Sequence, residues 1–340
     1  MRKVRARRAV LAKRVAVAVT VCALATGWGH PVHAKSIIFD PPGALDTYPV
    51  GINASKWIAG QYFDDNGKNL SFLRTPDGAF TTIDAPGATC GTYASGISSS
   101  GVIVGNGQDD NCNFHGFMRT PDGTITILDV PGAMGTDATA INDRGLIVGS
   151  YTDSTHHLHG FLRKGNGAFT SFDPQGSTET APTAINKTGV IAGFYRAGEI
   201  HGFVRAKDGT FTTFDVPGST ATYVTSLNDA AEIAGYYVNE SGQKQAYIRM
   251  PQGEIDMIDI AGAEGAVASS INNEGVATGN FEDTKGDVHG FVRAADGTIT
   301  AFDVGNCLGT FPAAINDRGA VTGRCDDPNQ INTHGFLRKL

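Results

Sequence analysis

One motif returns along most of this chain at nearly constant spacing, and that period restricts it to a repeat architecture. An Ile-Asn pair or its close variant begins at Ile52, Ile97, Ile141, Ile185, Leu227, Ile271 and Ile315, giving steps of 45, 44, 44, 42, 44 and 44 residues. Self-similarity at such a period marks stacked or radially arranged units, each too small to bury its own apolar face. With 44 Gly and 14 Pro in 340 residues and no collagen-like order, the composition suits short strands joined by many turns.

Each copy reads as four strands. In the third copy the first is Asp137 to Ile141, followed by the polar turn Asn142-Asp143-Arg144-Gly145, whose Gly supplies the positive φ of a tight hairpin. Asn is expected there as a turn residue that bonds nearby backbone and tolerates left-handed φ. Leu146 to Tyr151 is the second strand and His159 to Arg163 the third. The next turn carries Gly in every internal copy, at Gly78, Gly123, Gly167, Gly209, Gly253 and Gly297. In Thr120-Pro121-Asp122-Gly123 the Pro suits the first corner of a type I turn. The fourth strand, such as Thr124 to Asp129, ends in Asp, and Pro-Gly usually follows.

Four antiparallel strands in one such unit make a propeller blade, so the pattern predicts an all-β, seven-bladed β-propeller over residues 35–340. Ser36-Ile37-Ile38-Phe39-Asp40 is a fourth-strand motif standing ahead of the first full copy, whereas the seventh copy stops just past its third strand at Arg338-Lys339-Leu340. The N-terminal segment is therefore expected to pair with His334 to Arg338, closing the ring and covering a sheet edge.

The elements Ile-Asn-Asp-Arg-Gly, Val-Ile-Val-Gly and His-Gly-Phe-Leu-Arg resemble the extracellular HAF repeats, named for a His-Ala-Phe element, over nearly all of residues 35–340. Gly replaces the Ala of that element here, and Arg stands where many members have Trp. The resemblance implies export and a repeat fold, and it brings no catalytic residues.

Residues 1–34 have a different character. Arg2, Lys3, Arg5, Arg7, Arg8, Lys13 and Arg14 precede an apolar run from Val15 to Thr26, and Val32-His33-Ala34 suits cleavage. This reads as a secretory signal peptide, with Arg7-Arg8 leaving both the Sec and twin-arginine routes open. The apolar run is shorter than the roughly 20 residues that span a bilayer, so no transmembrane segment is expected and the product is periplasmic or secreted. Cleavage leaves 20 Lys and Arg against 34 Asp and Glu, a formal charge of -14. That balance offers no footprint for nucleic acid or anionic membranes. A monomer is expected. In an oxidising compartment, Cys90 is expected to pair with Cys112, and Cys307 with Cys325, because each pair flanks two successive strand crossings.

Recurrent polar residues invite a catalytic reading that their number argues against. His occurs in five third strands, at His115, His159, His201, His289 and His334, and Asp closes all seven fourth strands. A three-residue turn at Pro121-Asp122-Gly123 puts His115 opposite Asp129. Catalysis needs one such pair, whereas packing of like units needs it in each. The Arg at the end of every third strand is expected to lie along the unit surface, its stem packed on a neighbour.

Function is expected where the copies differ, in the loops between second and third strands. Asp64, Asp65, Asp109, Asp110, Asp153, Glu240, Glu282, Asp283, Asp326 and Asp327 stand there with Tyr62, Tyr151, Tyr195, Tyr236 and Phe281. Carboxylates interleaved with aromatics suit a glycan, a cationic peptide or another extracellular protein. Calcium is the one cofactor they suggest, although no loop has the full ligand spacing of an EF-hand. His156-His157 lacks an evident carboxylate or Cys partner for a metal, and no nucleophile elbow, zinc motif or phosphate loop is present. Three functions remain open: a binding or scaffold module, a polysaccharide- or peptide-directed hydrolase or lyase with its site at a central funnel, and a structural envelope protein.

Overall fold

In a computed structural model the described residues are 35–329 and 332–340; the expected signal peptide lies outside them. Regular structure among the described residues is all strand. The chain begins with β1 (Ser36–Phe39), then β2 (Ala44–Ile52), β3 (Ile58–Asp64), β4 (Asn69–Arg74) and β5 (Phe80–Ile83). The order returns as β6 (Gly91–Ile97), β7 (Ile103–Gln108), β8 (Phe114–Arg119) and β9 (Ile125–Ile127). It returns again as β10 (Gly135–Ile141), β11 (Ile147–Thr152), β12 (Leu158–Arg163) and β13 (Phe169–Phe172). Next come β14 (Glu179–Ile185), β15 (Ile191–Ala197), β16 (Glu199–Arg205) and β17 (Phe211–Phe214). After them stand β18 (Ser219–Leu227), β19 (Ile233–Asn239), β20 (Lys244–Arg249) and β21 (Ile255–Ile258). Then follow β22 (Ala263–Ile271), β23 (Ala277–Asp283), β24 (Val288–Arg293) and β25 (Ile299–Phe302). The last three are β26 (Gly309–Ile315), β27 (Ala320–Asp326) and β28 (Thr333–Lys339).

Within each group successive strands pair antiparallel, and β1 joins β28 as expected, with Ser36 opposite Arg338 and Phe39 opposite Gly335. Single parallel bridges, such as Asn69 with Gly91 and Leu158 with Glu179, tie a third strand to the first strand of the next group. Hydrogen bonding thereby draws the strands into three sheets of 8, 12 and 8, none closed on itself. First strands also touch one another in sequence order, and β26 touches β2.

The core lies between neighbouring repeats because each short sheet exposes apolar side chains on both faces. Val104 of one repeat packs with Ala138, Ile147 and Phe161 of the next. The aromatic residue of each third strand anchors this contact: Phe72, Phe117, Phe161, Phe203, Tyr247, Phe291 and Phe336 are all fully buried. Burying one such side chain contributes roughly 1.5–3 kcal/mol. The preceding Gly makes room, since a Cβ at Gly160 would come within 2.6 Å of the Phe172 ring. Arg205 in turn lays its guanidinium 4.9 Å from that ring's centre and Arg338 lies 4.5 Å from that of Phe302, so the recurrent Arg packs across the repeat boundary as expected.

A β-bulge interrupts the pairing of first and second strands in every repeat, for example between Ala138 and Ala140. The extra residue, Thr139, turns its hydroxyl to the carbonyls of Val148 and of Pro182 in the next repeat. The Asn that follows six of the seven first strands performs a second cross-link. Asn142 Oδ1 accepts the amides of Arg144 and Leu146, fixing the turn, while its Nδ2 donates to the Asn186 carbonyl at 2.8 Å. Left-handed φ falls three residues later, at Gly145 (70°), as expected, and the Asn itself keeps ordinary φ.

Cys307 and Cys325 form the expected disulfide. Cys90 and Cys112 are free and exposed, which corrects the second pairing. The reason is register. Cys325 stands opposite Thr310 within β27, and the equivalent residue opposite Thr92 is Gly107. Across from Gly107 lies Ala88, whose Cβ is 2.7 Å from where a Cβ on Gly107 would be. Both cysteines therefore sit beyond the two positions that meet.

Candidate binding face

The start of each first strand pairs with the end of the second, as Gly135 does with Thr152, so the loops entering first strands and those leaving second strands emerge on one face. Most of the acidic residues expected to contact a ligand there are occupied by their own loops. Asp64, Asp109, Asp153 and Asp283 each accept the amides two and four residues on, as Asp109 does from Asn111 and Asn113 at 2.9 Å. The Asn113 amide, with help from Asn113 and His115 side chains, holds the Asp109 carboxyl down to about 2. His157 and Thr155 lower Asp153 in the same way. Asp327 accepts the amide of Asn329, and Asp326 the Thr333 hydroxyl at 3.4 Å. Asp65 and Asp110 are exposed at loop tips, and Glu282 is exposed within β23.

The expected aromatics divide by strand alternation. Tyr62 and Tyr195 are buried, 4% and 8% exposed, because their positions face the core between repeats. Tyr151 is part-buried, its hydroxyl on Ser171 at 2.9 Å and its ring 5.2 Å from His159. Tyr236 belongs to the other side of its strand and stacks on Tyr223, ring centres 4.7 Å apart. His156 takes a left-handed φ of 66° in its loop, and His157 bonds Thr155. No three His, Cys, Asp or Glu among the described residues are placed to hold a metal ion.

The recurrent His and Asp meet as the turn spacing implies: His115 with Asp129 at 2.9 Å, His159 with Asp173 and His334 with Asp40 at 2.8 Å. Two of these carboxylates take a hydroxyl from the next first strand, Thr180 to Asp173 and Thr47 to Asp40, each at 2.6 Å. The hydroxyl thus lies on Asp and away from the imidazole, the reverse of what activating a nucleophile requires. These links join repeats.

Residues that the sequence reading missed stand one place after the recurrent first-strand Thr. Tyr48, Tyr93, Asp137, Ala181, Tyr223, Val267 and Phe311 occupy this position and are all part-exposed. Their cross-strand partners are Gln61, Asn106, Ser150, Phe194, Tyr236, Asn280 and Arg324. Phe194 meets Tyr223 at 5.1 Å, and the Arg324 guanidinium lies 4.2 Å from the Phe311 ring centre and 5.6 Å from that of Tyr48. The sequence signal was a position that varies freely inside an otherwise repeating frame.

The opposite ends of the first strands surround a cavity of about 220 Å³, lined by the Asn series and by Asp143, Lys187, Asp229 and Asp317. Asp143, Asp229 and Asp317 accept backbone amides of the preceding repeat, from Ser99, Lys187 and Asn273, so these carboxylates are engaged in joining repeats.

No protein-family model and no curated protein matches this chain. Solved structures do. Virginiamycin B lyase from Staphylococcus aureus is similar with a TM-score of 0.64 at 14% identity, over 90% of this chain and 99% of that one. The β-propeller domain of the trilobed protease from Pyrococcus furiosus gives 0.61 at 12%, over 86% and 95%. The lectin BP39L from Burkholderia pseudomallei gives 0.57 at 11%, over 87% and 96%. At these identities the likeness is one of fold, and the fold is that of the β-propellers.

Proposed function

We propose that this protein is an exported seven-bladed β-propeller acting as a binding module, with the face of the second-to-third-strand loops as its contact surface. Six groups of four strands, and a seventh that β1 completes, support the blade count. The contact of β26 with β2 and the bond from Asn316 to Asn53 support closure. The resemblance to extracellular HAF repeats, the basic and apolar start of the sequence and the Cys307–Cys325 bridge support export.

The observation that carries the binding reading is where apolar surface is left open. Leu45, Met134 and Leu308 share one position, two residues before the recurrent Thr, and are 47%, 44% and 46% exposed. Phe114 on the same face is 41% exposed. Together with the part-exposed rings of Tyr48, Tyr93, Tyr223 and Tyr236 they give this face the aromatic, apolar character of a contact surface. Extracellular glycans or proteins are the partner class.

A hydrolase or lyase has one observation in its favour, the unrepeated carboxylate of Asp137. Among the described residues its side-chain hydrogen bond is to Asn106, its cross-strand partner is Ser150, and no His or second acid is bonded to it, so binding is preferred.

Melting the purified protein with Ca²⁺, with EDTA and with polysaccharides and peptidoglycan fragments tests the reading. A ligand at a hundred times its Kd adds about 2.7 kcal/mol. The shift should shrink in Tyr236→Ala. Absence of any shift would move the assignment to a structural envelope role.

A further inference from the structure

Among the seven equivalent positions that follow the first-strand Thr, Asp137 alone carries a charge. It receives a hydrogen bond from Asn106 Nδ2 of the preceding repeat at 2.6 Å. What this second-strand position does elsewhere is visible at Gln61, whose Nε2 donates to the backbone carbonyl of Ala94 in the next repeat. Asn106 is one methylene shorter and holds a carboxylate in place of that carbonyl.

The pair is incompletely satisfied. Asn106 is 8% exposed, and its Oδ1 has no hydrogen-bond partner. Among the described residues Asp137 forms no ion pair with Lys, Arg or His, and burial raises its carboxyl pKa with only the Asn106 bond opposing. A carboxylate in such surroundings is costly until a cation meets it. Two adjacent groups thus present acceptor oxygens and no spare cation. A hydroxyl offers a single donor, whereas an ammonium offers three and a charge. Tyr93 is the cross-strand partner of Asn106, and its ring meets that of Phe114 with centres 6.4 Å apart.

We propose that Asp137 and Asn106 are the polar anchor of the loop-face site and take a primary ammonium group of the ligand. The assignment rests on the binding reading and narrows it to amine-bearing ligands, whether amino sugars or peptides with free lysine side chains.

Calorimetric titration of the purified protein with a glucosamine tetramer and with tetralysine, each beside its fully N-acetylated form, tests this. At least one amine form should bind ten-fold or more tightly than its acetylated counterpart. Asp137→Asn, which keeps shape and removes charge, should abolish that preference without lowering the Tm. Asn106→Gln, which restores the reach of Gln61 to the neighbouring backbone, should weaken it as well. Equal binding of amine and acetylated forms, a preference that survives Asp137→Asn, or binding of neither amine would overturn the assignment. Binding of the acetylated forms alone, lost in Tyr236→Ala, would overturn it while leaving the binding face intact.

Discussion

Asn316 donates its side-chain amide to the backbone carbonyl of Asn53 at 2.8 Å, across 263 residues of sequence. The same bond runs from Asn142 to Asn186, Asn186 to Asn228, Asn228 to Asn272 and Asn272 to Asn316. Asn316→Ala removes this bond and uncaps the amides of Arg318 and Ala320. A loss of about 1–3 kcal/mol in urea unfolding is expected, the cost of leaving buried polar groups unmatched.

Ser98 is the one departure from that series. Its hydroxyl still caps the Val102 amide, but it is too short to reach the next repeat, where only the Ser99 amide bonds Asp143. Ser98→Asn should supply the missing link to Asn142 and raise stability by about 1 kcal/mol. A lower unfolding midpoint in urea would count against this account.

In five repeats the turn after the first strand places Gly in the left-handed region, but Lys56 and Ala231 hold that position with φ of 63° and 64°. The Lys56 ammonium also faces Lys339 and Arg318, whose like charge depresses its pKa. Lys56→Gly relieves both backbone strain and repulsion and should raise the Tm. Lys56→Asn, neutral and tolerant of this φ, should give most of the same gain.

The His–Asp links make stability depend on pH in a defined direction. Hydrogen bonding to Asp129 raises the His115 pKa above 6.5, and Asp173 and Asp153 raise that of His159 against the opposing effect of burial. Their contribution is full below about pH 6.5 and is lost as pH climbs through the folded-state values. Asp109, held down to about 2, contributes above its ordinary 3.8 and loses that contribution as pH falls. The Tm should therefore be higher near about pH 5.5 than near about pH 8.5. The difference should narrow in a His115→Gln, His159→Gln double variant, which leaves net acidity at high pH unchanged.

The two cysteine pairs should behave differently toward thiol reagents. Cys90 and Cys112 are exposed and should react in the native state, while Cys325 is fully buried and bonded. Cys307→Ala with Cys325→Ala opens a link across 18 residues and should cost about 2–4 kcal/mol. Labelling followed by mass spectrometry distinguishes the pairs.

Period, strand count, turn chemistry and the place of β1 were legible because each follows from local signals that the repeats restate several times. The His115–Asp129 pairing followed from turn length alone. Side-chain roles were harder, since Asp64 and Asp109 look like loop acids available to a ligand until the loop is folded, when backbone amides claim them. Tyr62 and Tyr236 both precede their loops, yet a one-residue difference in register buries one and opens the other to its neighbour. The bulge at Thr139 turns on a single inserted residue, whereas Cys112 stands five residues past Gly107, the position that Cys325 fills in the last repeat. Asp137 was hidden by attention to loops, although it was the lone acid in a column of aromatic and aliphatic residues.

The antiparallel pairing of β1 with β28 sets Ser36 beside Arg338, so residues 35 and 340 lie at the same end of one ladder. A force that separates residues 35 and 340 pulls across that ladder and breaks its rungs one after another, as a zipper opens. A load carried between two surface loops of different repeats bypasses the seam and must instead slide packed sheets past each other. Tethered at residues 35 and 340, the molecule should yield at low force; gripped across its face, it should resist.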